Sequence, residues 1–154
     1  MHDTVVKMLT AARCRFQVHE HVPLVSAADY RAHLPIDPEA MVKTLAFHID
    51  ARGYVLAALK AFTKVDYKKL ADALGVKRNH LRPASPDDVA RDLGFEIGGI
   101  CPFTDAPDVT VVIDLGVRDL ETAYCGAGRN TATLELAADD LIRVSRGVLA
   151  DIAK

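Results

Sequence analysis

The chain has 154 residues, of which 50% are hydrophobic and 26% charged, and its formal net charge is -2 at pH 7. This length predicts a single domain over residues 1–154, and the slightly negative charge excludes a protein that attracts nucleic acid through an overall positive field. No apolar run suits a signal peptide or a membrane span, and three cysteines without metal-ligand spacing fit a reducing cytoplasm.

The first part of the chain alternates short periodic segments with turn residues. Apolar residues on one face predict a helix over residues 3–12, and a short strand follows around 16–18 and ends at the triplet 19–21. Ser26 is placed to cap a second helix that ends at about His33. The proline-containing stretch after it predicts a loop or a helical turn that starts at a proline.

The clearest local pattern is a β-hairpin. Leu45, Phe47 and Ile49 alternate with smaller or polar residues, which predicts a half-buried strand. Residues 50–53 supply the turn, and the mostly apolar run 54–59 predicts the returning strand.

Capping residues mark two further helices. Residues 66–74 predict a helix that Gly75 stops. The run 85–88 combines a capping serine, a proline and two acids, which predicts a helix start, and Gly94 predicts its end.

The last part of the chain mixes strands with one helix. The β-branched run 109–113 predicts a central strand, and 122–124 and 131–136 predict two more. An apolar stripe predicts a final helix over residues 138–152. Because strands and helices do not alternate strictly, we predict a mixed α/β fold of two layers, with a curved mixed β-sheet flanked by helices.

The turn Gly98-Gly99-Ile100 is the most informative candidate site. Two adjacent glycines let the backbone approach a ligand closely, so that main-chain N–H groups could bind a carbonyl oxygen as it becomes an oxyanion. A β-bulge or an ordinary tight turn is the more common meaning of such a pair.

Three side chains admit both a chemical and a structural interpretation. Cys101 invites a nucleophile hypothesis, but neither a thiolate nor an oriented base is evident, so a small pocket-lining residue is the better interpretation. His19 and His21 form half of a zinc site without a third ligand at a familiar spacing, and a strand end or pocket rim suits them better.

Basic residues offer local contacts for a phosphate. Lys43 enters an apolar strand, where a lysine is usually solvent-exposed but can also fix a phosphate as a point charge. The remaining candidates for RNA contact are more simply a solvated face, and they are Lys60, Lys64, Lys68, Lys69, Lys77, Arg78, His80 and Arg82.

Taken in order, several stretches resemble the YbaK/ProX-type family of aminoacyl-tRNA editing domains, which includes the domain inserted in bacterial prolyl-tRNA synthetases. The resemblance runs from about His21 to Val144. The stretches that carry it are residues 43–45, 55–59, 66–75, 98–103, 128–133 and 140–141.

The resemblance implies the editing-domain fold and a free-standing hydrolase that cleaves the ester between a wrong amino acid and a tRNA. Lys43 would hold the terminal phosphate and adenosine, and Gly98, Gly99 and Ile100 would hold the ester carbonyl. The attacking water would be activated partly by the ribose hydroxyl of the tRNA. The expected substrate-binding residues are His21, Thr44, Phe62, Cys101, Pro102, Gly128 and Asn130.

The same resemblance sets expectations for partners. The substrate is the acceptor end of an aminoacyl-tRNA, an aminoacyl-tRNA synthetase is a further partner to test, and no cofactor, metal, membrane or DNA is expected. Small amino acids such as alanine, serine, threonine or cysteine suit an editing pocket that excludes larger cognate side chains. Two alternatives stay open: a non-catalytic tRNA- or aminoacyl-nucleotide-binding module, and a hydrolase that uses Cys101 as its nucleophile.

Overall fold

The computed structural model describes residues 2–154, and its strands form two sheets. A three-stranded antiparallel sheet has the order β1-β7-β6, and a five-stranded mixed sheet has the order β4-β2-β3-β5-β8. The strands are β1 Phe16–Glu20, β2 Val42–Ile49, β3 Gly53–Lys60, β4 Leu81–Pro83, β5 Val109–Asp114, β6 Thr122–Gly126, β7 Ala132–Ala137 and β8 Val148–Ala150.

Six α-helical segments and several short turns of helix cover these sheets. The segments are α1 His2–Ala11, α2 Ala27–His33, α3 Tyr67–Leu74, α4 Pro86–Asp88, α5 Leu115–Arg118 and α6 Ala138–Ser145. A π-helical turn, Val89–Leu93, continues α4 directly. The predicted mixed α/β class with flanking helices is confirmed, with the strands divided between two sheets.

The helix starts predicted from capping residues are confirmed. The Ser26 and Ser85 hydroxyls each accept an N–H from the third residue of their helix, in reciprocal capping boxes. The Asp66 carboxylate accepts the N–H of Lys69, and Gly75 ends the same helix with a left-handed φ of 69°.

The two faces of β2 are both covered, so the prediction of a half-buried strand is wrong. Val42 and Ala46 belong to the larger apolar core, beside the three-stranded sheet. Phe47 and Ile49 belong to a second core under α3. A strand that lies between two cores is buried on both faces, so its residues do not alternate between apolar and polar as they do in a strand with one solvent-exposed face.

The final helix is shorter than its apolar stripe predicts. The α6 helix ends at Ser145 because Arg146 takes a left-handed φ of 56°, and the chain then turns back as β8. That strand pairs in parallel with β5 from Val112 to Asp114. The periodicity of apolar residues cannot distinguish one long helix from a helix followed by a short strand. In this structure the helix ends because the backbone changes direction at Arg146 and Gly147.

Asp114 fixes the carboxyl-terminal segment to the five-stranded sheet. Its buried carboxylate accepts N–H groups from Gly116 at 2.9 Å, Ile152 at 2.9 Å and Ala153 at 3.1 Å. Beyond it, the Lys154 N–H donates to the Lys64 carbonyl at 2.9 Å. The end of the chain is therefore bonded to the turn that follows β3.

None of the helices within residues 2–154 combines the length and the apolar character needed to cross a membrane.

We expect Asp114→Ala to lower the free energy of unfolding by about 2–4 kcal/mol, because three N–H groups, that of buried Ile152 among them, lose their acceptor. Urea denaturation measures this change, with Asp119→Ala as the exposed control. Equal stability of the two variants would contradict the assigned role.

Candidate active site

A cavity of about 380 Å³ lies where the two sheets meet, next to the bridge between Met41 and Tyr124. Most of the side chains around it are apolar. The lining residues are Val25, Ser26, Ala27, Tyr30, Ile36, Met41, Val42, Lys43, Thr44, Leu45, Ala61, Ile97, Gly98, Ile100, Tyr124, Cys125, Gly126 and Thr133.

One wall of the cavity is an open edge of β2. The short strand β4 pairs with β2 only between Phe47 and Ile49. The Ala46 carbonyl accepts the N–H of Ala84, so this part of the edge points towards β4. Along a strand, the backbone N–H and C=O groups of every second residue point to the same edge. Those of Thr44 therefore point to the same edge of β2 as those of Ala46. At Thr44 this edge lies beyond the end of β4 and faces the cavity.

The opposite wall is the glycine turn. The Gly99 N–H donates to the Glu96 carbonyl at 2.9 Å and closes a β-turn with Gly98 in its third position at a φ of 90°. A Cβ on Gly98 would also lie 2.3 Å from the Leu24 carbonyl oxygen. Both conformation and space therefore require glycine here.

The loop of residues 126–130 holds this turn from behind. The Gly128 N–H donates to the Gly99 carbonyl at 2.8 Å, and the Glu96 N–H donates to the Gly128 carbonyl at 3.2 Å. The Asn130 N–H donates to the Glu96 carboxylate at 3.2 Å. A Cβ on Gly99 would lie 2.4 Å from the backbone of Arg129, so the two segments touch main chain to main chain.

These bonds decide which N–H groups remain for a ligand. That of Gly99 is used inside the turn. Those of Gly98 and Ile100, two residues that line the cavity, donate to no group within residues 2–154. The expected set of three backbone donors is therefore reduced to two.

Lys43 supplies a positive charge at the same cavity. Its ammonium donates to the Thr63 carbonyl at 2.5 Å, and no carboxylate in the part of the chain that the structure describes pairs with it. Burial, with repulsion from Lys64, lowers the pKa of Lys43 below its usual value. A partly desolvated cation of this kind favours an anion as its partner.

His21 contacts both Thr133 and Tyr30, and Tyr30 in turn contacts the glycine turn. His21 Nδ1 lies 2.7 Å from the Val22 carbonyl, which can only accept, so this nitrogen carries a proton. Its Nε2 lies 2.8 Å from the Thr133 hydroxyl, and the Tyr30 hydroxyl donates to the Gly98 carbonyl at 2.6 Å. Burial raises the pKa of Tyr30 to about 12.

Thr44 contributes an unusual polar group to the cavity wall. Its side chain is buried, and its hydroxyl forms no hydrogen bond within residues 2–154. Buried hydroxyls without a partner are rare because desolvation costs free energy that no bond returns.

Of the seven residues predicted to bind substrate, Thr44 lines the cavity, and the six that do not are His21, Phe62, Cys101, Pro102, Gly128 and Asn130. Cys101 and Pro102 are buried, and the Cys101 thiol lies 3.7 Å from the Phe103 carbonyl. Burial raises the pKa of Cys101 to about 12, which keeps the thiol protonated. Phe62 is 45% exposed and stacks under the Arg31 guanidinium at 5.4 Å, because the turn after β3 points its ring outwards.

The other predicted residues are near the cavity in different roles. Lys43, Thr44, Gly98 and Ile100 line it. Gly99, Gly128 and Asn130 hold the glycine turn through their backbones, and His21 contacts the wall through Thr133 and through the Tyr30 ring, whose centroid lies 5.3 Å from its own.

Sequence reasoning missed several lining residues. Tyr30, Tyr124, Cys125 and Met41 come from three separate elements, and no local motif marks them. They converge because the edges of the two sheets meet. Cys125, rather than Cys101, is the cysteine on the wall, and burial raises its pKa well above the usual value.

Four of the eight basic residues proposed for RNA contact have side-chain partners within residues 2–154, and these are Lys60, Lys69, Arg78 and Arg82. Lys60 pairs with Glu39 at 2.8 Å, and Lys69 pairs with Asp151 at 3.1 Å. Arg78 stacks on Tyr67 at 4.4 Å. His19 pairs with Glu135 at 3.0 Å, and no group of three metal-ligating side chains occurs within the described part of the chain.

Comparison with known proteins shows that the chain matches one protein family. The model of the aminoacyl-tRNA editing domain matches residues 21–144. The uncharacterized protein YwhH of Bacillus subtilis is 30% identical over 105 residues, which are 68% of this chain and 65% of YwhH. A proline–tRNA ligase of Geobacillus kaustophilus is 32% identical over 100 residues, which are 65% of this chain but only 17% of the ligase.

Solved structures share the fold. The hypothetical protein APE2540 superposes with a TM-score of 0.87 at 22% identity, over 98% of this chain and 99% of that one. A candidate trans-editing enzyme for prolyl-tRNA synthetase superposes with a TM-score of 0.84 at 20% identity, over 99% of this chain and 96% of that one.

We expect Thr44→Val to raise the free energy of unfolding by about 1 kcal/mol, because it replaces an unpaired buried hydroxyl with a methyl group of similar shape. Urea denaturation measures the change, and Thr110→Val, on the exposed face of β5, is the matched control. A clear loss of stability in Thr44→Val alone would show that the hydroxyl has a partner.

Proposed function

Because the chain belongs to the aminoacyl-tRNA editing domain family, we propose that it hydrolyses the ester bond of mischarged aminoacyl-tRNA, acting in trans. The observation that carries this proposal is the pairing of a partly buried cation, Lys43, with two unused backbone donors across one apolar cavity. That pairing suits a ligand with a phosphate at one end and a polarised carbonyl at the other.

The chemistry needs little from side chains. A water oxygen attacks the ester carbonyl carbon, the bond from that carbon to the ribose oxygen breaks, and the ribose oxygen takes up a proton. The products are a free amino acid and a tRNA with a free terminal hydroxyl. The N–H groups of Gly98 and Ile100 would stabilise the negative charge on the carbonyl oxygen, where a missing donor typically costs a factor of 10²–10³ in rate.

Lys43 would bind the phosphate that precedes the terminal adenosine and so place the ester over the glycine turn. Holding the reacting groups in position accounts for much of the rate in such a site. No carboxylate of the described residues lines the cavity, which supports activation of the water by a group of the substrate, the neighbouring ribose hydroxyl.

The preferred amino acid belongs to the small class of alanine, serine, threonine and cysteine. The cavity of about 380 Å³ has to hold the terminal nucleoside as well as the amino acid, and its wall is mainly aliphatic. An apolar pocket discriminates by only about 1–3 kcal/mol per methylene, so exclusion of larger side chains is the more effective filter.

The second candidate is a binding module without turnover. Within residues 2–154 no carboxylate or histidine lines the cavity, and this favours a binding module as much as it favours substrate-assisted hydrolysis. The two candidates differ only in whether a bound aminoacyl-tRNA is cleaved.

We expect Lys43→Ala to reduce deacylation about 100-fold, since a charge-assisted contact to the substrate is lost while the fold is kept. The assay uses tRNAs charged with alanine, serine, threonine, cysteine or proline, and amino-acid release is followed over time. Lys68→Ala, at an exposed position on α3, is the matched control and retains activity.

Two results of this assay would contradict parts of the proposal. Full activity of Lys43→Ala would remove Lys43 from the site. If the wild-type chain releases no amino acid but still binds the charged tRNAs, the binding module replaces the hydrolase.

We expect Cys101→Ala to deacylate within about threefold of the wild type, because the thiol is buried, protonated and outside the cavity. The same assay measures this. Complete loss of activity in a Cys101→Ala protein with an unchanged unfolding midpoint would favour the cysteine hydrolase instead.

A further inference from the structure

We propose that Tyr30 is a positioning residue of this site: its hydroxyl holds the Gly98 carbonyl, and this bond keeps the Gly98–Ile100 backbone in the conformation that presents its N–H groups to the substrate. The inference rests on the proposed hydrolysis and adds a residue to it. Tyr30 lies on α2, far from the glycine turn in sequence, and its side chain is only 8% exposed.

The geometry of two peptide planes supports this role. In a trans peptide the C=O and the N–H of the next residue point in opposite directions within one plane. The Tyr30 hydroxyl fixes the plane between Gly98 and Gly99 through the Gly98 carbonyl, at 2.6 Å. The Gly128 N–H fixes the plane between Gly99 and Ile100 through the Gly99 carbonyl, at 2.8 Å.

The direction of the Ile100 N–H follows from the second of these bonds, while the Tyr30 bond holds the preceding plane, whose N–H belongs to Gly99 and donates to the Glu96 carbonyl. Because the Gly99 carbonyl points at Gly128, the Ile100 N–H in the same plane points away from the 126–130 loop. Tyr30 and Gly128 thus hold adjacent planes, one by a side chain and one by the backbone.

A glycine pair needs such restraint more than other residues do. Gly98 sits at a φ of 90° and, without a Cβ, has several other conformations available to it. Main-chain contacts with Leu24 and Arg129 limit these in space, but only the Tyr30 bond acts on the Gly98 carbonyl within the described residues.

The surroundings of Tyr30 fix the direction of its hydroxyl. Its ring packs edge-on against His21 at an interplanar angle of 82°, and His21 Nε2 in turn lies 2.8 Å from the buried Thr133 hydroxyl. The tyrosine is therefore held at both its ring and its oxygen, as a positioning group must be.

The test is Tyr30→Phe, which keeps the ring and removes only the hydroxyl. We expect kcat for deacylation to fall about tenfold with KM within about twofold, because the loss affects the transition state more than binding. A second readout needs no substrate: the carbonyl ¹³C resonance of Gly98, which reports its hydrogen bond, moves upfield in the variant. Tyr67→Phe, remote from the cavity, changes neither quantity.

Each outcome decides a separate point. An unchanged kcat in a folded Tyr30→Phe protein, with an active wild type, overturns the positioning role. An unchanged Gly98 resonance overturns the hydrogen bond itself. If the wild-type chain deacylates nothing, the proposed function fails, and the Gly98 resonance alone then decides whether Tyr30 holds the turn.

Discussion

The site depends on two backbone segments that approach each other more closely than side chains allow. The turn of residues 96–100 and the 126–130 loop share two main-chain hydrogen bonds, and a Cβ on Gly99 or Gly126 would lie 2.4 Å from the backbone of the other segment. The loop connects two strands of the three-stranded sheet, while the opposite wall of the cavity is β2 of the five-stranded sheet. This glycine contact therefore fixes the distance across which a ligand could be held.

Rigidity and charge are separated across the cavity. On the glycine side, adjacent peptide planes are each held by a hydrogen bond, so that few degrees of freedom remain to be lost when a ligand binds. On the β2 side, Lys43 carries the charge on a flexible stem and shares its ammonium with a carbonyl at 2.5 Å. Such an arrangement suits a ligand with two different ends: a reacting end that has to be positioned accurately, and an anionic end that is attracted by the positive charge of Lys43.

Sequence predicted the elements whose signals are local. Ser26 and Ser85 predicted the starts of their helices, and Gly75 predicted the end of α3, because a capping residue lies within a few residues of the group it satisfies. The end of α6 was missed because Arg146, a residue with no special preference for positive φ, ends the helix and β8 then completes a sheet edge. Strand pairing to β5 is a long-range contact that the apolar stripe does not encode.

The cavity was predictable only in part for the same reason. Lys43, Thr44 and the glycine turn stood out by residue type, whereas Tyr30 and Cys125 are ordinary residues brought in by the packing of α2 and β6. Phe62 was misplaced because its neighbour Ala61 takes the inward position of the turn. The choice between two adjacent residues depends on the local backbone path, which periodicity cannot supply in a turn.

The bond between Lys154 and the Lys64 carbonyl connects the carboxyl terminus to the position of the cation. Lys64 follows directly after Thr63, whose carbonyl holds the Lys43 ammonium, and the bridge from Val65 to Ala153 reinforces this connection. A fusion partner or affinity tag joined after Lys154 would thus be anchored beside the turn that orients Lys43.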